Sequence, residues 1–395
     1  MPKSTPPISV EQDLLSNANG VPDAVALTRR LIGFKTVNPP GEEESCARYL
    51  AGLLDAAGFT VTVQKMGEGR ANLIATLGVS PGGPLPIGFT GHIDTVPLGA
   101  AAWSQDPFAG DIVDGKLYGR GASDMKAGVA AFVAAAIAEA DRLRQGPGAV
   151  LVLTAGEETG CAGALALTQG GALPQVGALV VAEPTDNRLF AGHKGVLWLR
   201  AVTSGKTAHG SMPERGVNAL YKAARVVSRL EHYDFGVPGH PVLGSPTLNV
   251  GTMSGGMNIN SVPDRAEITI DIRTIPGQEH ARLRDSMPDY VGEGAAVTPL
   301  IDLPGIWSDP GLPWMNRLAD LVEKETGLPQ KPEAATYFTD ASVLTPALGG
   351  APTAILGPGE PGMAHQTDEW CEVRRIEEAV RLYRAIIADW TGRDS

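Results

Sequence analysis

Cysteine is scarce in this chain: Cys46, Cys161 and Cys371 stand far apart among 395 residues. An odd number with no CxxC pair argues against a disulfide framework and a thiolate metal site, and fits a reducing, cytoplasmic setting. Positive charge is in deficit, with 32 Lys and Arg against 44 Asp and Glu and a formal net charge of −12. No basic footprint is left for phosphate backbones or an anionic membrane surface, so neither nucleic acid nor membrane is an expected partner. An anionic substrate would have to be met by a few placed cations rather than by a general field. Long apolar runs are missing too, and none approaches the ~18–20 residues that a bilayer span needs. The N-terminal MPKSTPPISVEQD has no apolar signal core and reads as a short polar arm with little order. Internal repeats and low-complexity linkers are absent.

What remains is ordinary globular material, 43% hydrophobic and 19% charged. The length exceeds one core, so two domains of ~100–200 residues each are expected. Residues 21–35 and 42–57 have helical apolar spacing, with Pro22 and Asp23 as start signals and Gly58 as a stop. FTVTVQ alternates as a strand, and ANLIATLG and PLPIGFTGH follow it. DMKAGVAAFVAAAIAEADRL (124–143) reads as one alanine-rich helix. AVLVLTAGEE and ALVVAEP are apolar strands that stop abruptly at acids. Strands alternating with helices imply an α/β domain whose sheet is covered on both faces. From residue 192 the style changes to a β-α-β-β-α series with a strictly alternating AEITIDIRTIP. It reads as an inserted α+β domain, 192–302, interrupting an α/β domain made of 1–191 and 303–395.

In an α/β sheet, ligands bind outside the carboxyl ends of the strands. The unusual residues of this chain fall there. GHIDTVP (91–97) places His92 and Asp94 two apart, on one face if the backbone is extended. Asp124 lies in the turn before the long helix, Glu157 and Glu158 end LVLTAGEE, Glu183 ends LVVAEP, and His365 lies in GPGEPGMAHQTDE. Taken singly, each has a plain explanation: a loop histidine, a helix N-cap, a solvated turn. Taken together on one sheet edge, so many carboxylates need a cation. Imidazole and carboxylate suit zinc and its neighbours in the divalent series. One carboxylate bridging two ions, with a histidine and an acid on each side, uses two histidines and three acids, and leaves one acid free as a general base. Asp94 fits the role of fixing a ligand histidine from behind.

The stretches GHIDTVP, LYGRGASDMKAG, TAGEETG, AEPT, GKTAHGSMP, NINSVPDRAEITIDIR, FTDAS and AHQTDE, in this order over roughly residues 25–390, resemble the M20 metallopeptidase family. The likeness is to its acetylornithine deacetylase / succinyl-diaminopimelate desuccinylase / aminoacylase branch in particular. The resemblance implies a zinc-peptidase-like α/β catalytic domain with a central mixed, mostly parallel sheet. The inserted α+β domain would be a lid through which most members dimerise. It implies two zinc ions per subunit, with cobalt or manganese able to use the same ligands. His92 and Glu183 would hold one ion, Glu158 and His365 the other, and Asp124 would bridge them. Glu157 would be the general base and Asp94 the partner that orients His92. His209 would enter the partner subunit's active site. Arg273 and Asn260 would hold substrate carboxylate or backbone groups; Lys194 and Thr339 belong to the same expected substrate-binding group.

The activity implied is metal-dependent removal of an acetyl- or succinyl-type N-acyl group from an amino acid with a free carboxylate. A water shared by the two ions attacks and Glu157 takes its proton. Glutamate at 183 goes, by resemblance, with aminoacylases, desuccinylases and carboxypeptidases rather than with aminopeptidases. Two alternatives stand beside this reading: an exopeptidase, either carboxypeptidase or dipeptidase, acting on short peptides, and a non-catalytic zinc-binding relative. Retention of Glu157 speaks against the second, since a pure binder needs no base there.

Overall fold

The structure, a computed structural model, describes residues 20–171 and 173–392; the N-terminal polar arm expected from the sequence lies outside them. The chain forms two compact units. Among the described residues, one takes those up to Leu189, Gly311–Lys331 and those from Leu344 on; the other takes Phe190–Pro310 and Pro332–Val343. The sequence put the seams at 191/192 and 302/303. The second unit also reclaims 332–343, because the strand Glu333–Ala335 pairs in parallel with Phe190–His193. That pairing joins segments far apart in sequence, so no local pattern announces it.

In the first unit, helix α1 (Ala24–Ile32) starts at Asp23, whose carboxylate accepts from Ala26 N at 2.8 Å. Helix α2 (Glu44–Ala56) is followed by β1 (Thr60–Gly67) and β2 (Arg70–Leu77), an antiparallel pair. Strand β3 (Ile87–His92), helix α3 (Ala127–Ala138), β4 (Ala149–Thr154) and β5 (Ala178–Val181) come next. β3, β4 and β5 are buried along their whole length, as parallel strands covered on both faces must be.

The one long helix expected over 124–143 is three pieces here. Ala122–Lys126 form a wide turn with Asp124 (φ −119°, ψ 94°) and Met125 outside the helical region; α3 then runs to Ala138, and a short helix covers Ala140–Gln145. α3 is buried on nearly every side, which its alanines permit. Gly128 is required: a Cβ there would sit 2.1 Å from the Ala182 carbonyl oxygen.

The second unit holds β6 (Gly195–Ser204), helix α4 (Ala219–Leu230), β7 (Thr247–Gly255), β8 (Arg265–Thr274), helix α5 (His280–Val291) and β9 (Ala296–Leu303). Its antiparallel sheet runs β7-β8-β6-β9, so β7 is an edge. β8 alternates as its sequence demands. Ala266, Ile268, Ile270 and Ile272 are buried in a core shared with α4 and α5, Thr274 is buried on the same face, and Asp271 and Arg273 lie on the other.

Back in the first unit, α6 (Pro313–Thr326), β10 (Thr353–Ile355) and α7 (Val373–Thr391) close the fold. The first unit's strands lie in the order β1-β2-β4-β3-β5-β10. β3 is parallel to β4 and β5, and β5 to β10; β1 and β2 are antiparallel additions. The carboxyl ends of four neighbouring strands therefore open on one edge. No helix among the described residues is long and apolar enough to cross a membrane.

Candidate metal centre

Register brings the site together. His92 ends β3 opposite Thr154, the last residue of β4, and two residues further along that chain a glycine in the left-handed region, Gly156 (φ 71°), turns the backbone into Glu157 and Glu158. Thr90 pairs with Val181, so Glu183 emerges one strand over. Asp124 comes from the wide turn before α3. His365 comes from the loop after β10.

The geometry splits into two halves around Asp124. Its Oδ1 lies 3.0 Å from His92 Nε2, and Glu183 Oε1 is 3.9 Å from the same nitrogen. Its Oδ2 lies 3.4 Å from His365 Nε2, which is 3.0 Å from Glu158 Oε2. Each oxygen of one carboxylate thus faces a different imidazole, with a further acid beside each. Burial alone would depress the His92 imidazole, but Asp124 bonded to it, with Glu183 and Glu157 close by, raises it well above the ordinary value. Asp124 and Glu158 push His365 up to about 10. Burial would raise Asp124, yet the two histidines hold its carboxyl far below the usual range. Burial and the Asp124 charge raise Glu158.

This donor set fits divalent cations. The ligand atoms of His92, Asp124 and Glu158 all lie within 4.8 Å of one another. Glu158 Oε1 is buried without a hydrogen-bond partner, the situation a carboxylate oxygen tolerates when a cation is its intended neighbour.

Asp94 is fully buried and works through two different groups, its main-chain carbonyl and its carboxylate. Its main-chain oxygen lies 3.0 Å from His92 Nδ1, whereas its carboxylate Oδ1 is 3.6 Å away. A carbonyl can only accept, so Nδ1 carries the proton and Nε2 faces Asp124. The carboxylate instead accepts from Asn38 Nδ2 (3.0 Å), Glu157 N (3.1 Å) and Glu158 N (3.3 Å). The expected orienting contact to His92 is thus made by the backbone, and the side chain holds the Glu157-Glu158 turn.

The expected substrate-contacting residues lie in the second unit. Arg273 is paired two-pronged with Asp271, Nε at 2.9 Å and Nη2 at 3.2 Å, and Trp198 Nε1 donates to the same carboxylate. Lys194 Nζ donates to Ser245 O at 2.6 Å, and burial, with Arg273 close by, lowers its pKa. His209 is exposed, its backbone bridged to Ser261. Ser211 N donates to its Nδ1 at 3.1 Å, and an N–H can only donate, so Nδ1 is the acceptor and Nε2 carries the N–H. Asn260 is exposed and accepts Gly210 N through its main chain. Thr339 is fully buried, its hydroxyl accepting from Ala341 N at 3.1 Å. That hydroxyl serves the backbone locally.

Sequence reasoning passed over three residues that shape this site. Asn38 binds Asp94 and Thr159 together. Lys126, fully buried, donates to Leu31 O and Phe34 O at the end of α1, and burial pushes it down to about 8. Glu369, with no exposure, sits inside the turn that carries Asp124. Glu369 lay within the quoted AHQTDE, but nothing local marks it as buried.

Comparison with known proteins places this geometry in a family. The pattern described as Peptidase family M20/M25/M40 matches residues 88–389. The chain is 31% identical over 387 residues to an acetylornithine deacetylase from Proteus mirabilis (strain HI4320), covering 94% of this chain and 97% of that one. Its fold is similar to that of an M20 family metallo-carboxypeptidase from Sulfolobus solfataricus (TM-score 0.77, 16% identity, 94% of this chain and 100% of that one). It is also similar to a dinuclear metal-binding M20 peptidase from Bacillus subtilis (TM-score 0.69, 16% identity, 93% and 98%).

Proposed function

The chain belongs to peptidase family M20/M25/M40, and from that premise we propose that it is a two-metal amidohydrolase that removes an N-acyl group from an amino acid bearing a free carboxylate. The observation that carries the reading is the divided Asp124 carboxylate, one oxygen toward His92 and the other toward His365. His92 and Glu183 would hold one cation, Glu158 and His365 the other, with Asp124 between them; zinc suits the donors, and cobalt or manganese can replace it. The ions, when bound, supply an acidified water and polarise the scissile carbonyl.

The residues do the rest. Glu157, held at its backbone by Asp94, accepts the proton of the attacking water and delivers it to the leaving amine. His209, in the tautomer fixed by Ser211, offers Nε2–H to the developing oxyanion in a second copy's active site. Arg273 and Lys194 are neighbouring cations in an otherwise acidic protein, and they would grip the substrate carboxylate. The second unit's sheet supports a homodimer. Its edge strand β7 carries exposed Met253, and Met257 (82% exposed) and Ile259 (103%) follow it, an apolar edge suited to a second copy.

The relative from Proteus mirabilis is named a deacetylase, while the fold neighbours are peptidases; the same atoms would serve an exopeptidase. The deciding experiment assays metal-loaded protein on a panel of N-acetyl and N-succinyl amino acids, N-acetylornithine among them, against dipeptides. Turnover of the acylated amino acids is expected. Hydrolysis of dipeptides alone would make the protein an exopeptidase, and no turnover of either would make it a binder.

A further inference from the structure

Glu369 is the strongest unassigned feature of the site. It is fully buried, and its two oxygens receive four N–H groups. Oε2 accepts from Arg120 Nη1 (2.7 Å) and Gly121 N (3.0 Å); Oε1 accepts from Ser123 N (2.8 Å) and Asp124 N (2.9 Å). All four partners are donors, so the carboxyl group acts purely as an acceptor with Arg120 as its counter-charge, while burial pushes its pKa up to about 7. A helix leaves its first N–H groups without partners, and the turn before α3 has no capping side chain of its own. Glu369 fills that place from a segment 245 residues away in sequence.

That segment also carries His365. Three more contacts fasten it to the Asp124 turn: Gly119 N donates to Glu369 O (2.9 Å), Ser123 Oγ to Trp370 O (2.7 Å) and Glu360 N to Ser123 Oγ (3.0 Å). The strand Trp370–Glu372 continues the attachment by pairing with Lys116–Tyr118. Arg120 extends it further, donating to Pro97 O at 3.2 Å and lying over the Trp103 ring.

We propose that Glu369 is a positioning residue whose buried carboxyl group, through the four N–H groups it accepts, fixes the Asp124 turn against the His365 loop, and so sets the half-site that Asp124 shares with Glu158 and His365. The inference rests on the two-metal reading above. Glu369 touches neither substrate nor the proposed ligand atoms; it acts through the backbone of Asp124 and the placement of His365.

The test compares stepwise Co2+ and Zn2+ binding by full-length wild type, Glu369→Gln, the charge-balanced pair Arg120→Met/Glu369→Gln, and each glutamine variant in a His365→Ala background. Binding is read by chelator competition and by the visible spectrum of bound Co2+, and the fold by thermal melting of the metal-free protein. The glutamine variants should bind the second equivalent ~10–100-fold more weakly, the range seen when a residue behind a ligand is lost, and the first with a smaller change. The spectrum of the second Co2+ should change. In the His365→Ala background, the same substitution should add little. The paired variant carries no uncompensated buried charge and answers the question if Glu369→Gln alone does not fold. A lowered melting point with unchanged affinities would overturn the inference, and so would equal weakening of both equivalents that adds to the His365→Ala loss. Wild type that binds only one cation would overturn the two-metal reading itself. Wild type that binds two, with variants unaltered, would remove this inference alone.

Discussion

Replacing Asp94 by asparagine separates the two duties found at that position. The side-chain volume barely changes, and the main-chain oxygen that meets His92 Nδ1 stays in place. The carboxylate, however, faces three donors: Asn38 Nδ2, Glu157 N and Glu158 N. Asparagine offers one oxygen and one NH2 group. With its oxygen in the Oδ1 position it keeps Glu157 N and turns an NH2 toward Glu158 N; the opposite orientation reverses the loss. Asn38 can flip its amide to accept from the new NH2, but one backbone N–H of the turn is orphaned either way. A buried orphan donor costs about 1–3 kcal/mol, or roughly 5–150-fold if the whole effect falls on the placement of Glu157. Asp94→Asn should therefore lower kcat by about 10–100-fold at saturating metal. Affinity at the His92 site should fall by less than about tenfold, because the bond that orients the ring remains. The assay pairs kcat with single-site metal affinity by dye competition, and His92→Ala serves as the control for a lost ligand. A loss of affinity near that control, with kcat per bound ion preserved, would refute the division of labour and make the carboxylate itself the orienting or ligating group.

Three further outcomes follow from the same geometry. Glu157→Ala should keep its metal and melting behaviour yet lose ~10²–10⁴ in rate; near-normal turnover would remove Glu157 as the base. His209→Ala should lower the rate ~10²–10³-fold with metal content unchanged, and a change in stoichiometry would move it into the ligand set. Metal uptake should release protons. In the metal-free protein His92 is raised well above its ordinary value and His365 reaches about 10, so both carry protons at neutral pH, and a ligating imidazole must be neutral. For His365 the sign is that of a raised group. Its proton stabilises the metal-free fold fully below the unfolded value of ~6.5, and that contribution disappears as pH rises through about 10. Filling both sites should thus release about two protons, and overall affinity should climb ~100-fold per pH unit near neutrality. Calorimetry in buffers of contrasting ionisation enthalpy measures this directly; release of fewer than one proton would exclude the imidazoles as ligands.

Much of this arrangement was legible in the sequence because it is built from short-range rules. Period-two alternation put Arg273 on the polar face of β8, and Asp23 announced the start of α1. Acids and histidines at strand ends pointed to one edge because parallel strands all finish there. What could not be read depends on contacts between distant segments. The helix expected through Asp124 opens into a wide turn, since Gly121, Ser123 and Asp124 give their N–H groups to Glu369. Whether Asp94 would use its side chain or its backbone depends on a distance difference of under an ångström, which residue spacing does not resolve. Likewise no spacing announces that the Thr339 hydroxyl oxygen accepts from Ala341 N, at the start of a short helix.

The contact between Gly128 and Ala182 has a consequence for how this protein can change. Helix α3 would gain intrinsic stability from alanine at 128, worth roughly 1 kcal/mol in an unconstrained helix. But the added methyl would overlap the carbonyl immediately before Glu183. The same carbonyl also crowds position 357, where a Cβ would lie 2.3 Å away. The strand end therefore packs directly against two glycines. Volume added at either position would be transmitted to a proposed ligand rather than absorbed. Mutational drift and thermostabilising design should both find these two positions closed, one in a helix whose alanines give no hint of it and one in the loop after β10.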